Sequence, residues 1–166
     1  MHHRRIHYVL IIALVLFGGC MKGSQLSGNM VPRNPGKKPA IAIISEGLFA
    51  DMIGNDLFLK GFTIIERNRL VKVIHEQAIQ KSGLTEEAAF VEAGKLLNVQ
   101  ALMFIDQKTD DNKVLLYASI KLVDVERGAI IGSFHYRQGR GFRKEHMEAI
   151  SRRIAAAIAG PYRAAR

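Results

Sequence analysis

A mixed α/β domain, with a sheet of about five strands that is parallel first and an antiparallel meander later, is predicted by three features of the sequence. Short β-branched runs at Ala40–Ile44, Phe62–Ile65 and Ala101–Ile105 do not alternate and are separated by helical spacing, as buried parallel strands are. From Val114 to Leu122 the residues Val114, Leu116, Ala118, Ile120 and Leu122 alternate with Leu115, Tyr117, Ser119 and Lys121, which predicts a long strand with one apolar face. The chain then closes on an amphipathic helical pattern from Phe142 to Ala159.

Each element has its own signals. Leu48, Phe49, Met52, Ile53, Leu57 and Phe58 recur at helical spacing and Gly61 supplies a C-terminal stop, although Gly47 and Gly54 are poor helix formers. After the second strand, Asn68 is placed to cap a helix carrying Leu70, Val73, Ile74 and Ala78, which should end at Ser82-Gly83. Thr85 caps the next helix, with Glu86 and Glu87 in the first turn where the helix dipole favours acids, and with Ala88, Val91, Leu96 and Leu97 as its buried side. Gly94 inside this helix predicts close approach to the sheet. Asp110-Asp111-Asn112 and Glu126-Arg127-Gly128 are turn chemistry on either side of the long strand, and a fifth strand should run from Ile130 to about Arg137. In the closing helix Phe142, Met147, Ile150, Ile154 and Ile158 face inward, Arg143, Lys144, Glu148, Arg152 and Arg153 face outward, and Gly160-Pro161 ends it.

Ahead of the domain, Arg4 and Arg5 precede ten apolar residues from Tyr8 to Phe17, and the run stops at Gly18-Gly19-Cys20. That is the order of a secretory signal, and the apolar run is short against the roughly 20 residues a spanning helix needs. Residues 1–19 therefore read as a cleaved leader. Leu16-Phe17-Gly18-Gly19-Cys20 resembles a lipobox, in which the new N-terminal cysteine takes a diacylglycerol and an amide-linked acyl chain. No other cofactor is expected. Such chains hold a protein on a membrane at about 0.8 kcal/mol per buried methylene. Residues 20–39, rich in Gly, Ser, Asn, Pro and Lys, read as a flexible tether spanning roughly 25 Å, followed by the domain over 40–160 and a tail over 161–166. Met21, rather than Asp, behind the acylated cysteine matches outer-membrane sorting with the domain facing the periplasm.

Charge and chemistry narrow the function. The formal charge of +9 becomes +7 once Arg4 and Arg5 leave, and the stretch from Arg137 to Arg166 holds eight Arg or Lys against Glu145 and Glu148. Arg137, Arg140, Arg143, Lys144, Arg152 and Arg153 are the candidate contacts to an anionic partner such as phospholipid head groups; the other reading is a solvated helix face. No nucleic acid is expected as a partner; an envelope protein and further copies of the chain are. Cys20 is the only cysteine, His75, His135 and His146 match no zinc spacing, and Asp106, Asp110 and Asp111 fall on a predicted turn where Asp serves the backbone. The expectation is a protein that binds rather than catalyses.

Gly61-Phe62, Ile65-Glu66-Arg67, Leu70, Glu76-Gln77, Gly83, Gly94-Lys95-Leu96 and Val123-Asp124-Val125 ending at Gly128 occur in an order that resembles the CsgG family of curli production assembly/transport lipoproteins, over residues 40–136. The resemblance implies an exported secretion or assembly lipoprotein with a periplasmic α/β core, similar in outline to the penicillin-binding-protein activator LpoB and to the N-terminal domain of TolB. An LpoB-like role in cell-wall synthesis is the alternative. The family's pore does not carry over, because the seven residues between Asp106 and Val114 leave no room for a barrel hairpin and Ser45-Glu46 runs straight into a helical pattern. Glu66-Arg67 lies where a strand meets a helix, so the Glu can serve the helix N-terminus and the Arg an acid.

Overall fold

Side chains alternate across a strand, so a run such as Ile41-Ala42-Ile43-Ile44 must be covered on both faces, and the computed structural model does this with two helical layers. It describes residues 23–32, 34, 36–76, 83–139 and 144–162. In chain order the elements are β1 (Gln25–Met30), β2 (Ala40–Ile43), α1 (Leu48–Leu59), β3 (Thr63–Ile65), α2 (Arg67–Glu76), α3 (Glu86–Leu96), β4 (Ala101–Thr109), β5 (Leu115–Asp124), β6 (Ile130–Arg137) and α4 (Met147–Ala159). A single open sheet has the order β1-β6-β5-β4-β2-β3. β2 is parallel to both β3 and β4, and the remaining pairs are antiparallel.

On one face α1 and α4 bring Phe49, Ile53, Leu57, Ile150, Ile154 and Ile158 down on Ile41, Met103, Ile120, Leu122, Phe134 and Tyr136. Each such side chain contributes roughly 1.5–3 kcal/mol of burial. On the other face α2 and α3 cover only the parallel end, packing Leu70, Ile74, Ala89, Phe90 and Ala93 on Ala42, Ile44, Leu102 and Val125. Gly94 explains that fit: a Cβ there would lie 3.3 Å from Leu102 and from Val125, so the helix sits as low as predicted. Its fully buried residues are Ala89, Phe90, Ala93 and Gly94; of the predicted side, Val91 and Leu97 pack half-buried against the same cluster, Ala88 is half-buried, and Leu96 is 61% exposed.

The mixed sheet has six strands rather than five. The additional one, β1, lies inside the stretch expected as a flexible tether, and it runs antiparallel to β6 from Gln25 opposite Arg137 to Met30 opposite Gly132. Its glycine and small polar residues answer a steric demand. Gly28 has φ 150°, and a Cβ there would stand 2.3 Å from the carbonyl oxygen of Ser133 and 2.6 Å from Cα of Phe134. An edge strand takes its hydrogen bonds from one neighbour, so only Met30 of β1 needs full burial.

Three smaller differences have local causes. The register of β4 and β5 shifts at Lys108/Thr109, opposing Tyr117 and then Leu115, so Leu116 is passed over and Leu115, not Leu116, enters the core. α2 begins at Arg67, with the Arg69 amide donating to the Glu66 carbonyl, so Asn68 lies inside its first turn instead of capping it; the expected end at Ser82 is outside the described residues, as is Phe142. Residues 161 and 162, expected in the tail, belong to a 3-10 turn over Gly160–Tyr162 that buries Tyr162, edge-on to Phe62 at 5.4 Å between ring centroids.

Gly28→Val should push β1 off β6. Amide exchange protection over residues 25–30 should collapse and stability should fall by about 1–3 kcal/mol in urea titration; unchanged protection would mean that this contact does not govern the seating of β1.

Candidate interaction site

Parallel strands in an open α/β sheet leave a crevice beyond their carboxyl ends, because each chain turns away there into a helix. Here β2 and β3 end side by side. Beyond β2 the Ser45 hydroxyl accepts the Ile105 amide at 2.7 Å and donates to the Ile105 carbonyl at 2.8 Å, extending the β2–β4 contact past the last ladder bond. Gly47, with φ 107°, then turns the chain into α1. Gly54 lets α1 lie close on the sheet, since a Cβ there would meet Ile43 at 2.9 Å. The result is a cleft of about 730 Å³, lined among others by Glu46, Asp51, Asn55, Phe58, Glu66 and Arg67.

The lining of the cleft carries the acids Glu46, Asp51 and Glu66 beside Arg67, with Ile43, Phe58 and Ile64 as apolar members. Arg67, the first residue of α2, pairs with Glu46 and lies over the Phe90 ring at 5.8 Å, so the predicted pairing of this arginine with an acid is found. Ser45 is committed to the backbone. Phe58 at the cleft and its neighbour Leu59 are 63% and 73% exposed, and Leu48 at the other end of α1 is 64% exposed. Of the apolar residues at helical spacing, Phe49, Ile53 and Leu57, with Gly54, form the contact and leave Leu48 and Phe58 outside. The arrangement suits recognition of a mixed polar and apolar surface beside the free edge of β3. Sequence reasoning did not find this cleft. The available signal was a serine, a glutamate and a glycine directly behind a parallel strand.

The basic segment is divided by the structure. Lys144 donates to Asp110 at 2.6 Å. Arg153 holds both oxygens of Glu145, at 2.6 and 2.8 Å, and reaches the Ser24 hydroxyl at 3.3 Å, while Ser24 itself donates to Glu145. Arg137 and Arg152 are exposed and enter no ion pair among the described residues. Arg140, Arg143 and the expected lipidation site Cys20 lie outside the described residues. Lys144 and Arg153 thus fasten α4 to the β4–β5 hairpin and to the start of β1. Asp110 and Ser24, far in sequence from Lys144 and Arg153, gave no local pattern to read.

These contacts set the titration behaviour. Asp110 is held below the usual carboxylate range by Lys144 and by the Val114 amide, which its Oδ1 accepts at 2.8 Å. At Glu145 burial pushes upward, but the Ser24 hydroxyl and Arg153 outweigh it and the carboxyl is lowered. Burial, with the Glu145 charge second, pushes the Tyr136 phenol up to about 12. Asp124 serves a turn: its Oδ1 accepts the amides of Glu126 and Arg127 at 3.0 and 2.8 Å, and Gly128 follows at φ 64°.

No protein-family model and no curated protein matches the sequence. Solved structures do match its fold. The PelC dodecamer from Paraburkholderia phytofirmans is similar at a TM-score of 0.51 and 12% identity, over 86% of this chain and 99% of that one. The C-terminal domain of LpoB from Salmonella enterica gives 0.45 at 16% identity, over 60% of this chain and 82% of that one. Lipoprotein GNA1162 from Neisseria meningitidis gives 0.42 at 13% identity, over 74% and 95%.

Because Asp110 and Glu145 have lowered values in the folded chain, each adds stability above the ordinary carboxylate pKa and loses it as pH falls through the folded value. The melting temperature should therefore drop between about pH 5 and pH 2. Asp110→Asn keeps the Oδ1 acceptor and should flatten part of that slope; a profile identical to that of the unaltered chain would remove the Lys144 pair from the account.

Proposed function

We propose that this chain is a lipid-anchored protein of the bacterial cell envelope that works as an interaction and assembly module. The observation that carries the reading is the sequence Leu16-Phe17-Gly18-Gly19-Cys20 behind a basic and apolar leader, joined to a domain whose described clefts and surfaces suit binding. The lipid fixes the place of work, and the domain meets a partner there. The lack of Asp behind Cys20 supports the outer membrane, with the domain on the periplasmic side.

Self-association is the first interaction to test. The sheet is open, with β3 as one edge and β1 as the other, and Phe58 and Leu59 stand exposed near the β3 edge. A solved structure with this fold, that of PelC, is a dodecamer, which supports the same direction. Within this reading, the resemblance to CsgG-family lipoproteins favours a partner in secretion or assembly. A role in cell-wall synthesis is the alternative.

Mass spectrometry of the native product should show a diacylglycerol and an acyl chain on Cys20, and Cys20→Ser should release the protein from membranes. An unmodified thiol would overturn the anchored reading. Light scattering on the unlipidated processed chain should show an assembly that Phe58→Glu with Leu59→Lys reduces to monomer. A monomer at all concentrations would reject self-association through this face.

A further inference from the structure

A lipid anchor orients a domain only if the chain between them is short, and here it is much shorter than its composition suggests. The stretch that reads as a tether over residues 20–39 is taken up almost at once: Ser24 is bonded to Glu145 and approached by Arg153, and Gln25 is already paired with Arg137. Three residues, Met21, Lys22 and Gly23, and so four Cα-to-Cα steps, separate Cys20 from Ser24. Fully extended they reach at most about 14 Å, against roughly 5–7 Å for the head-group layer of one leaflet.

We propose that the domain does not stand off the bilayer but rests on its anionic phospholipids by the end of the sheet where Ser24 is clasped. This rests on the lipid attachment at Cys20. The strand register defines the resting end: Gln25, Arg137, Tyr117 and Lys108 lie in one row across β1, β6, β5 and β4, all on the same face. At about 4.8 Å per strand the row is some 15 Å wide. The β4–β5 turn projects beyond it with Lys113, and Lys144 sits against that turn on Asp110.

The charge of this end fits such a surface. Lys108, Lys113, Arg137, Lys144 and Arg153 stand against Asp110, Asp111 and Glu145, and two of those acids are already neutralised, by Lys144 and by Arg153. Lys108, Lys113 and Arg137 remain exposed against Asp111, with Asp106 two residues further down β4 and Glu148 in the first turn of α4. The acids of the cleft, Glu46, Asp51 and Glu66, are recessed: β4 runs four residues past Ile105, where Ser45 is bonded, a setback of about 13 Å. Lys37 and Lys38 form a second basic group, but they precede β2 and lie at the opposite end of the sheet, which so short a link cannot bring to the lipid.

Two measurements test this separately from the anchor. The processed chain from residue 20, carrying Cys20→Ala and no lipid, is mixed with vesicles of phosphatidylcholine alone or with added phosphatidylglycerol. It should bind only the anionic vesicles. Lys108→Glu and Arg137→Glu should each weaken binding by on the order of fivefold or more, whereas Lys37→Glu with Lys38→Glu should not. Equal binding to neutral vesicles, or loss through the Lys37 pair alone, overturns the proposal. In the native lipidated chain, a fluorophore on Lys113→Cys should be quenched by head-group quenchers and one on Asn98→Cys should not. If mass spectrometry shows the lipid and the Lys113→Cys probe is not quenched, the anchor stands and the resting geometry is wrong.

Discussion

The close approach of β1 to β6 is the constraint on which the described architecture depends. At Gly28 the two backbones come so near that no side chain fits, and the six-residue register this permits puts Met30 against Gly132 and brings Ser24 to Glu145 and Arg153. Without that contact the sheet would end at β6 and α4 would lose its tie to the N-terminal strand. Because the chain enters the domain at this strand, the same contact decides how far the domain can be from residue 20.

The parallel and antiparallel halves of the sheet were legible because burial wrote them into the sequence. Ile41 and Ile43 go to one layer and Ala42 and Ile44 to the other, so β2 had to be apolar throughout; β5 is covered fully on one face and alternates from Ala118 to Leu122. Thr85 was legible as a cap for the same local reason, and its side chain does accept the Ala88 amide. β1 was not legible. Gln25-Leu26-Ser27-Gly28-Asn29-Met30 carries the composition of a linker, and its strand conformation is imposed by β6, whose partner residues lie more than a hundred positions later. The phase change at Leu116 was hidden for a related reason: a bulge depends on both strands of a pair, and alternation is read from one.

The candidate site shows the same division. That arginines and a lysine cluster behind Arg137 is plain in the sequence, but which of them are spent on structure is a matter of tertiary partners. Lys144 meets an aspartate in a hairpin and Arg153 a glutamate held by Ser24, while Arg137 and Arg152 face solvent. The residues that carried a family resemblance likewise have work inside the fold: Gly61 ends α1, Gly94 lowers α3 onto the sheet, Arg67 pairs with Glu46, and Asp124 and Gly128 shape the β5–β6 turn. The cleft beyond β2 and β3 arises from where two strands stop, which no single stretch of residues announces.

The position of β1 also fixes an order of assembly. Among the described strands its one neighbour is β6, the last of them to be made, whereas β5 and β6 close on each other through the tight turn at Asp124. Loop closure over more than a hundred residues is slow beside such a local hairpin, so β1 takes its seat after the meander exists. As the chain folds, β1 thus waits, unpaired, for β6 to arrive, and the first of the described strands becomes the final piece of the sheet.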